Sequence, residues 1–238
     1  MPFTRDDTIY AVCGTEGENQ KPTKGADTQC VLLASDEEPP YSPHPMALPT
    51  FTIFDVETTG LEPKRGHRII EIAAVHIVGG SIDTQHTFSS LIHPERSIPK
   101  ETMHIHGITD EELRNAPNIM TVLPDFLSFT KGSTLVAHNA AFDMGFLETE
   151  KEFCWGYIDL PECLCTMRLS QNLFPTAFRH NLDSVCERFN IPLPVNRHRA
   201  LPDVLITANI LLKLLNFGKI TSLEELRQRA RITAPTAA

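Results

Sequence analysis

Phe51-Thr52-Ile53-Phe54-Asp55-Val56-Glu57-Thr58-Thr59-Gly60-Leu61 reads as an apolar strand that runs into two acids and then a bend. Phe51 to Val56 is rich in strand formers. Asp55 and Glu57 stand at i and i+2, so both side chains project from one face of the strand. Two acids on one face at the end of an apolar strand are costly unless a cation or hydrogen-bond donors compensate them. Gly60 then frees the backbone for close approach to a ligand or for a positive φ.

Reading outward, Ile69 to Val78 predicts a second strand, and Gly79-Gly80 a hairpin turn into a third over Ser81 to Leu91. Thr109 followed by Asp110-Glu111-Glu112 predicts a capped helix start. Apolar spacing predicts a helix over Asn118 to Phe129, interrupted at Pro124. Thr134 to Ala137 reads as a buried strand, and Ala140 to Glu150 as a helix carrying Asp143. Further helices are predicted over Thr166 to Leu173, Leu182 to Phe189 and Pro202 to Leu215, with Pro202 suited to a first turn. Thr221-x-x-Glu224 reads as a capping box for a last helix. Three meandering strands followed by strands alternating with helices predict an α/β fold, a mixed sheet with helices on its faces.

Two later segments repeat the acidic theme. His138-Asn139-Ala140-Ala141-Phe142-Asp143 ends a strand and enters a helix, and His198-Arg199-Ala200-Leu201-Pro202-Asp203 leaves a polar loop for another helix. Each has an ordinary reading. Asp143 suits a helix N-terminus, and His198 is a loop histidine between Arg197 and Arg199. Four carboxylates gathered in one place repel each other, and hard oxygen donors select magnesium or manganese. Two such ions can clamp both oxygens of a phosphodiester displacement. A histidine can take a proton from water near neutral pH. The combination points to metal-dependent cleavage of a phosphate ester.

At Asp55-x-Glu57-Thr58-Thr59-Gly60, His138-Asn139-Ala140-x-Phe142-Asp143 and His198-x-Ala200-x-x-Asp203 the chain resembles the DEDDh 3'→5' exonucleases, the DnaQ-like family of polymerase III epsilon-type proofreading enzymes and their stand-alone relatives. The three motifs stand in the family's order, and the resemblance covers roughly Thr50 to Asn216. Val204 departs from the alanine many relatives carry after the last aspartate, a packing detail. The resemblance implies a ribonuclease H-like fold with a mixed five-stranded sheet flanked by helices. It implies Asp55, Glu57, Asp143 and Asp203 as ligands of two Mg2+ ions, with Mn2+ able to substitute, and His198 as general base. It implies that Thr58, Gly60, Leu61, His106 and Phe142 contact the terminal nucleotide, which leaves as a 5'-monophosphate. His138 and Asn139 are expected to be structural hydrogen-bonders.

The chain of 238 residues allows one domain with a large core plus tails. The expected organisation is an acidic, proline-rich, disordered extension over residues 1–49, an exonuclease domain over 50–216 and a C-terminal helix and tail over 217–238. Residues 1–49 hold three basic and eight acidic side chains, a net of −5; the remainder holds 18 basic and 22 acidic ones, within an overall −9. With its four proposed ligands offset by cations the domain is close to neutral, which suits an enzyme gripping a few nucleotides at one end better than a protein coating long duplexes. No run of about eighteen apolar residues predicts a membrane span, and no basic-then-apolar start predicts a secretory signal. Six cysteines are read as reduced thiols of a cytoplasmic protein, and Cys163-x-Cys165 lacks the second pair that a structural zinc site needs.

The expected substrate is a single-stranded or frayed DNA 3' end. A 3' exoribonuclease is the neighbouring reading, since discrimination rests on the sugar 2' position. A polymerase-associated proofreading or binding subunit, or association with another DNA-processing partner, is the reading from a different class. Gln171-Asn172-Leu173-Phe174 is similar to a sliding-clamp peptide but is expected to be core packing.

Overall fold

The structure is a computed structural model in which residues 48–154, 159–194 and 198–232 are described. The expected extension over residues 1–49 lies, up to residue 47, outside the described residues, as do Arg197 and the tail from residue 233.

The sheet is built from β1 (Phe51–Thr58), β2 (Ile69–Val78), β3 (Ser81–Leu91), β4 (Thr134–Ala137) and β5 (Cys163–Cys165), in the order β3-β2-β1-β4-β5. β1–β2 and β2–β3 are antiparallel, whereas β1–β4 and β4–β5 are parallel. The mixed five-stranded sheet agrees with the expected fold. Gly79 and Gly80 both adopt positive φ at the β2–β3 hairpin, the conformation that glycine adopts at least cost.

Eight helices are described: α1 (Lys100–His106), α2 (Asp110–Leu113), α3 (Ile119–Phe129), α4 (Ala141–Phe153), α5 (Thr166–Leu173), α6 (Leu182–Phe189), α7 (Ala200–Gly218) and α8 (Leu223–Ala230). Strand parity sorts them. Phe51 and Ile53 of β1, with Ala73, Val75 and Ile77 of β2, join the core formed with α5, α6, α7 and α8. Phe54 and Val56, with Ile72 and Ala74, face the opposite core built with α3 and α4. Asp55, Glu57 and Glu71 therefore continue the face that α7 covers.

Several expectations need correction. α3 runs through Pro124 without interruption. Pro124 is exposed, while Ile119, Val122, Leu123 and Phe126 are buried, so the packing of the apolar face outweighs one missing backbone bond. The last helix is capped by Ser222, whose hydroxyl accepts from the Glu225 backbone, rather than by Thr221. β5 and α1 were not anticipated. α7 begins at Ala200 and extends to Gly218, since Leu214 and Leu215 still lie in the core. By length and composition α7 could cross a membrane, but ten of its residues are buried against the rest of the chain, which accounts for its apolar character. Among the described residues Cys154, Cys163, Cys165 and Cys186 are free and buried. Phe174 stacks on Phe217 and packs edge-on to Phe189, so the Gln171–Phe174 segment contributes to packing.

Candidate active site

β1 ends on the face covered by α7, and Asp203 sits in the first turn of that helix. This geometry brings one carboxylate oxygen each from Asp55, Glu57 and Asp203 to within 4.8 Å of one another. Asp203 is buried, and Asp55 and Glu57 are half-buried. Asp143 comes from α4, on the other face of the sheet, and is not one of that trio. It is 2% exposed, and its Oδ1 accepts the Val56 N–H, between Asp55 and Glu57, at 3.3 Å.

The acids are held against their preference for charge. Burial first, then the charges of Asp143, Glu57, Asp203 and Glu71, raises Asp55 well above the usual carboxylate range. Glu57 is pushed up to about 8 by burial and by Glu71, Asp203 and Asp143, with Arg199 opposing. Burial lifts Asp143 to about 7 against the backbone hydrogen bonds it accepts. A divalent cation offsets the mutual repulsion of these acids and compensates the hydration they lose by burial, and an all-carboxylate donor set fits a hard ion. The residues present therefore fit the metal that the carboxylate pattern implies.

Glu71 was missed from the sequence. It stands directly opposite Glu57 in the β1–β2 register, a like-charge pairing that is unfavourable by itself. Its compensation comes from the His198 segment. Arg199 donates Nε to Glu71 Oε2 at 3.0 Å and Nη2 to Oε1 at 2.9 Å, and the Ala200 N–H donates to Oε2 at 3.0 Å. Arg199 is thus clamped to β2 at the start of α7, rather than solvated or free for phosphate. The readable signal was one acid inside the apolar run Ile69 to Val78. A second such pair fixes α4: Arg68 donates three hydrogen bonds to Glu150, which is 1% exposed and also accepts the Ile69 N–H.

His198 is exposed, with a left-handed φ of 62°, immediately before the clamped Arg199. Its ring makes no hydrogen bond to any carboxylate among the described residues. Thr58 is buried and its hydroxyl donates to the Gly60 carbonyl at 2.6 Å. Gly60 does not adopt positive φ; a Cβ there would lie 2.3 Å from the His67 ring, so the need for glycine is spatial. Leu61 projects into solvent, 77% exposed. Phe142 is half-buried against Phe146, ring centroids 5.0 Å apart.

His106 is buried. Its Nδ1 accepts the Ile108 N–H at 3.0 Å, which leaves the proton on Nε2, and Nε2 has no partner among the described residues. Burial holds the imidazole below its ordinary pKa. His138 is a structural hydrogen-bonder as expected: Nε2 donates to the His180 carbonyl at 3.0 Å, and Nδ1 pairs with the Thr166 hydroxyl at 2.8 Å. Asn139 contributes a left-handed turn, φ 63°, whose carbonyl accepts the Phe142 N–H.

Comparison with known proteins gives the same outline. The RNase_T family model, described as "Exonuclease", matches residues 52–211. A DNA polymerase III subunit epsilon of Rickettsia prowazekii is 40% identical over 167 residues, covering 68% of this chain and 72% of that protein. A DNA polymerase III subunit epsilon-like protein of Rhodobacter capsulatus is 38% identical over 211 residues, 84% of this chain, but the chain spans only 30% of that relative's length. Among solved structures, Exonuclease X in complex with 5' overhanging duplex DNA superposes with a TM-score of 0.60 at 31% identity, covering 76% of this chain and 97% of that one. The nuclease domain of 3'hExo, a DEDDh family member, shares the fold with a TM-score of 0.64 at 18% identity, covering 79% of this chain and 97% of that one.

Proposed function

The chain belongs to the RNase_T exonuclease family, and from that premise we propose that it removes 5'-monophosphate nucleotides from single-stranded or frayed DNA 3' ends in a Mg2+-dependent reaction. The observation that carries this reading is the meeting of Asp55, Glu57 and Asp203 within 4.8 Å, half-buried or buried. Asp143 faces the same strand end through Val56. These four residues would hold two divalent ions, Mg2+ by preference and Mn2+ as a substitute. When bound, the ions supply Lewis-acid activation of water and neutralise charge on the phosphate.

His198 is the general base that takes the proton of the attacking water, a role suited to an exposed imidazole at the rim of the acidic cluster. The Glu71–Arg199 clamp fixes the backbone on which both His198 and Asp203 depend. The bend Thr58–Leu61 holds the terminal nucleotide, with the exposed Leu61 side chain against its base and Phe142 beside it. The neutral His106 donates its Nε2 proton to an oxygen of that nucleotide. Buried without that acceptor, the N–H carries a desolvation cost.

The test is digestion of 5'-labelled DNA and RNA oligonucleotides by wild type and Asp55→Ala, with Mg2+ and with a chelator. The expected result is a Mg2+-dependent ladder shrinking from the DNA 3' end, absent in the variant. A faster ladder on RNA would reassign the substrate to RNA. A ladder that persists in Asp55→Ala would remove the carboxylates from the chemistry.

A further inference from the structure

Single exposed apolar side chains are ordinary on a protein surface. Here the exposed large apolar residues divide. Among the described residues six are 45–55% exposed, whereas Leu61 is 77% and Phe178 94% exposed. Both outliers belong to the same end of the sheet. Leu61 follows the C-terminal end of β1. Phe178 lies in the loop between α5 and α6, and that loop is bonded to the C-terminal end of β4, the parallel neighbour of β1.

The loop is held from both sides. Its Phe174 carbonyl accepts the Ala177 N–H at 3.0 Å, and its Ala177 carbonyl accepts His180 Nε2 at 3.1 Å. The Arg179 carbonyl accepts Arg188 Nη2 at 2.9 Å, and the His180 carbonyl accepts His138 Nε2 at 3.0 Å. Ser170 bonds His180 Nδ1 at 2.9 Å. Phe178 is therefore a ring presented outward by a hydrogen-bonded backbone, so the loop itself need not be ordered when something stacks on the ring. The next residue, Arg179, is exposed and makes no ion pair among the described residues.

We propose that Phe178 and Arg179 form a second nucleotide subsite, in which the phenyl ring stacks on a base of the single strand upstream of the scissile phosphate and the guanidinium meets its backbone. An aromatic face accepts any base, and a neighbouring cation adds attraction to phosphate, the combination that single-strand binding uses. A nearly neutral domain needs such local contacts, because it lacks a basic field to hold the strand. The subsite deepens the exonuclease reading and rests on it.

The experiment compares wild type, Phe178→Ala, Phe178→Trp and Arg179→Ala on two substrates, p-nitrophenyl thymidine 5'-monophosphate and 5'-fluorescein-(dT)12. Binding of the labelled (dT)12 is also read by anisotropy with Ca2+ in place of Mg2+. The expected result is that Phe178→Ala raises Kd and KM for (dT)12 about fivefold or more. Phe178→Trp should restore both, and Arg179→Ala should weaken binding with a shallower salt dependence. Hydrolysis of the mononucleotide substrate should change less than about twofold. Equal losses on both substrates, or unchanged (dT)12 binding in Phe178→Ala, would overturn the subsite and leave Phe178 as a loop residue or a protein contact. If wild type hydrolyses neither substrate, the catalytic reading fails instead, and the anisotropy still decides whether Phe178 binds single strands.

Discussion

Glu150 and Glu57 are both acids sunk into the same domain, and their surroundings differ in kind. Glu150 receives three hydrogen bonds from Arg68 and one from the Ile69 backbone. Glu57 faces Glu71 across the strands, with Asp203 and Asp143 close enough to raise it further. The first region resolves its charge with side chains of the chain itself. The second leaves charge unresolved at one end of β1. A buried acid with its own arginine is a structural tie between elements, here β2 and α4. Buried acids that face one another are the donor set of the proposed cation site.

The contrast breaks first at activity. Asp55→Ala should lower the rate of nucleotide release by roughly three orders of magnitude or more, measured on labelled oligonucleotides with Mg2+, because the ion ligation proposed for it is needed in the transition state. Its circular dichroism spectrum should match wild type. At the structural tie the effect should fall on stability. Glu150→Gln leaves Arg68 buried without its counter-charge, a loss of about 3 kcal/mol readable by urea unfolding, with activity per folded molecule retained.

His198→Ala sharpens the division inside the site. The expected outcome is kcat reduced about a hundredfold with metal affinity unchanged, since the role proposed for the residue is proton transfer and not ligation. An unchanged kcat would take His198 out of the mechanism.

Without metal the contrast turns on pH. Glu57 titrates at about 8 in the fold against an ordinary 4.5. The group contributes stability that is fully present below about pH 4.5 and is lost as pH rises through 8. The metal-free stability of Glu57→Gln should therefore gain on wild type as pH climbs across that window, followed by thermal unfolding in a chelator. The same acid-to-amide change stabilises at Glu57 and destabilises at Glu150. Parallel curves for wild type and Glu57→Gln would mean the site is less strained than its geometry implies.

The strands and helices that carry the acids were legible because local signals agreed. Gly79-Gly80 marks the hairpin, and Thr166 to Leu173 and Leu182 to Phe189 coincide with α5 and α6. β5 is three residues long, too short for alternation to register, and α1 starts after Pro99 with no side-chain cap. Asp55, Glu57 and Asp203 were identifiable from motif spacing, and their meeting follows from strand parity together with the first turn of α7. The Glu71–Arg199 clamp was not visible, because its partners are 128 residues apart and only the folded register brings them together. The outward ring of Phe178 was equally hidden, since its exposure follows from the loop's hydrogen bonds to α6 and to the end of β4.

Titrating Mn2+ into the metal-free protein while recording Tm, for wild type and Asp203→Asn, tests most directly that the facing acids are a cation site. Stabilisation of wild type that grows with Mn2+ concentration, and is absent or far weaker in Asp203→Asn, is the expected result. Equal stabilisation of the two proteins would mean that Mn2+ binds elsewhere and that Asp55, Glu57 and Asp203 do not hold it.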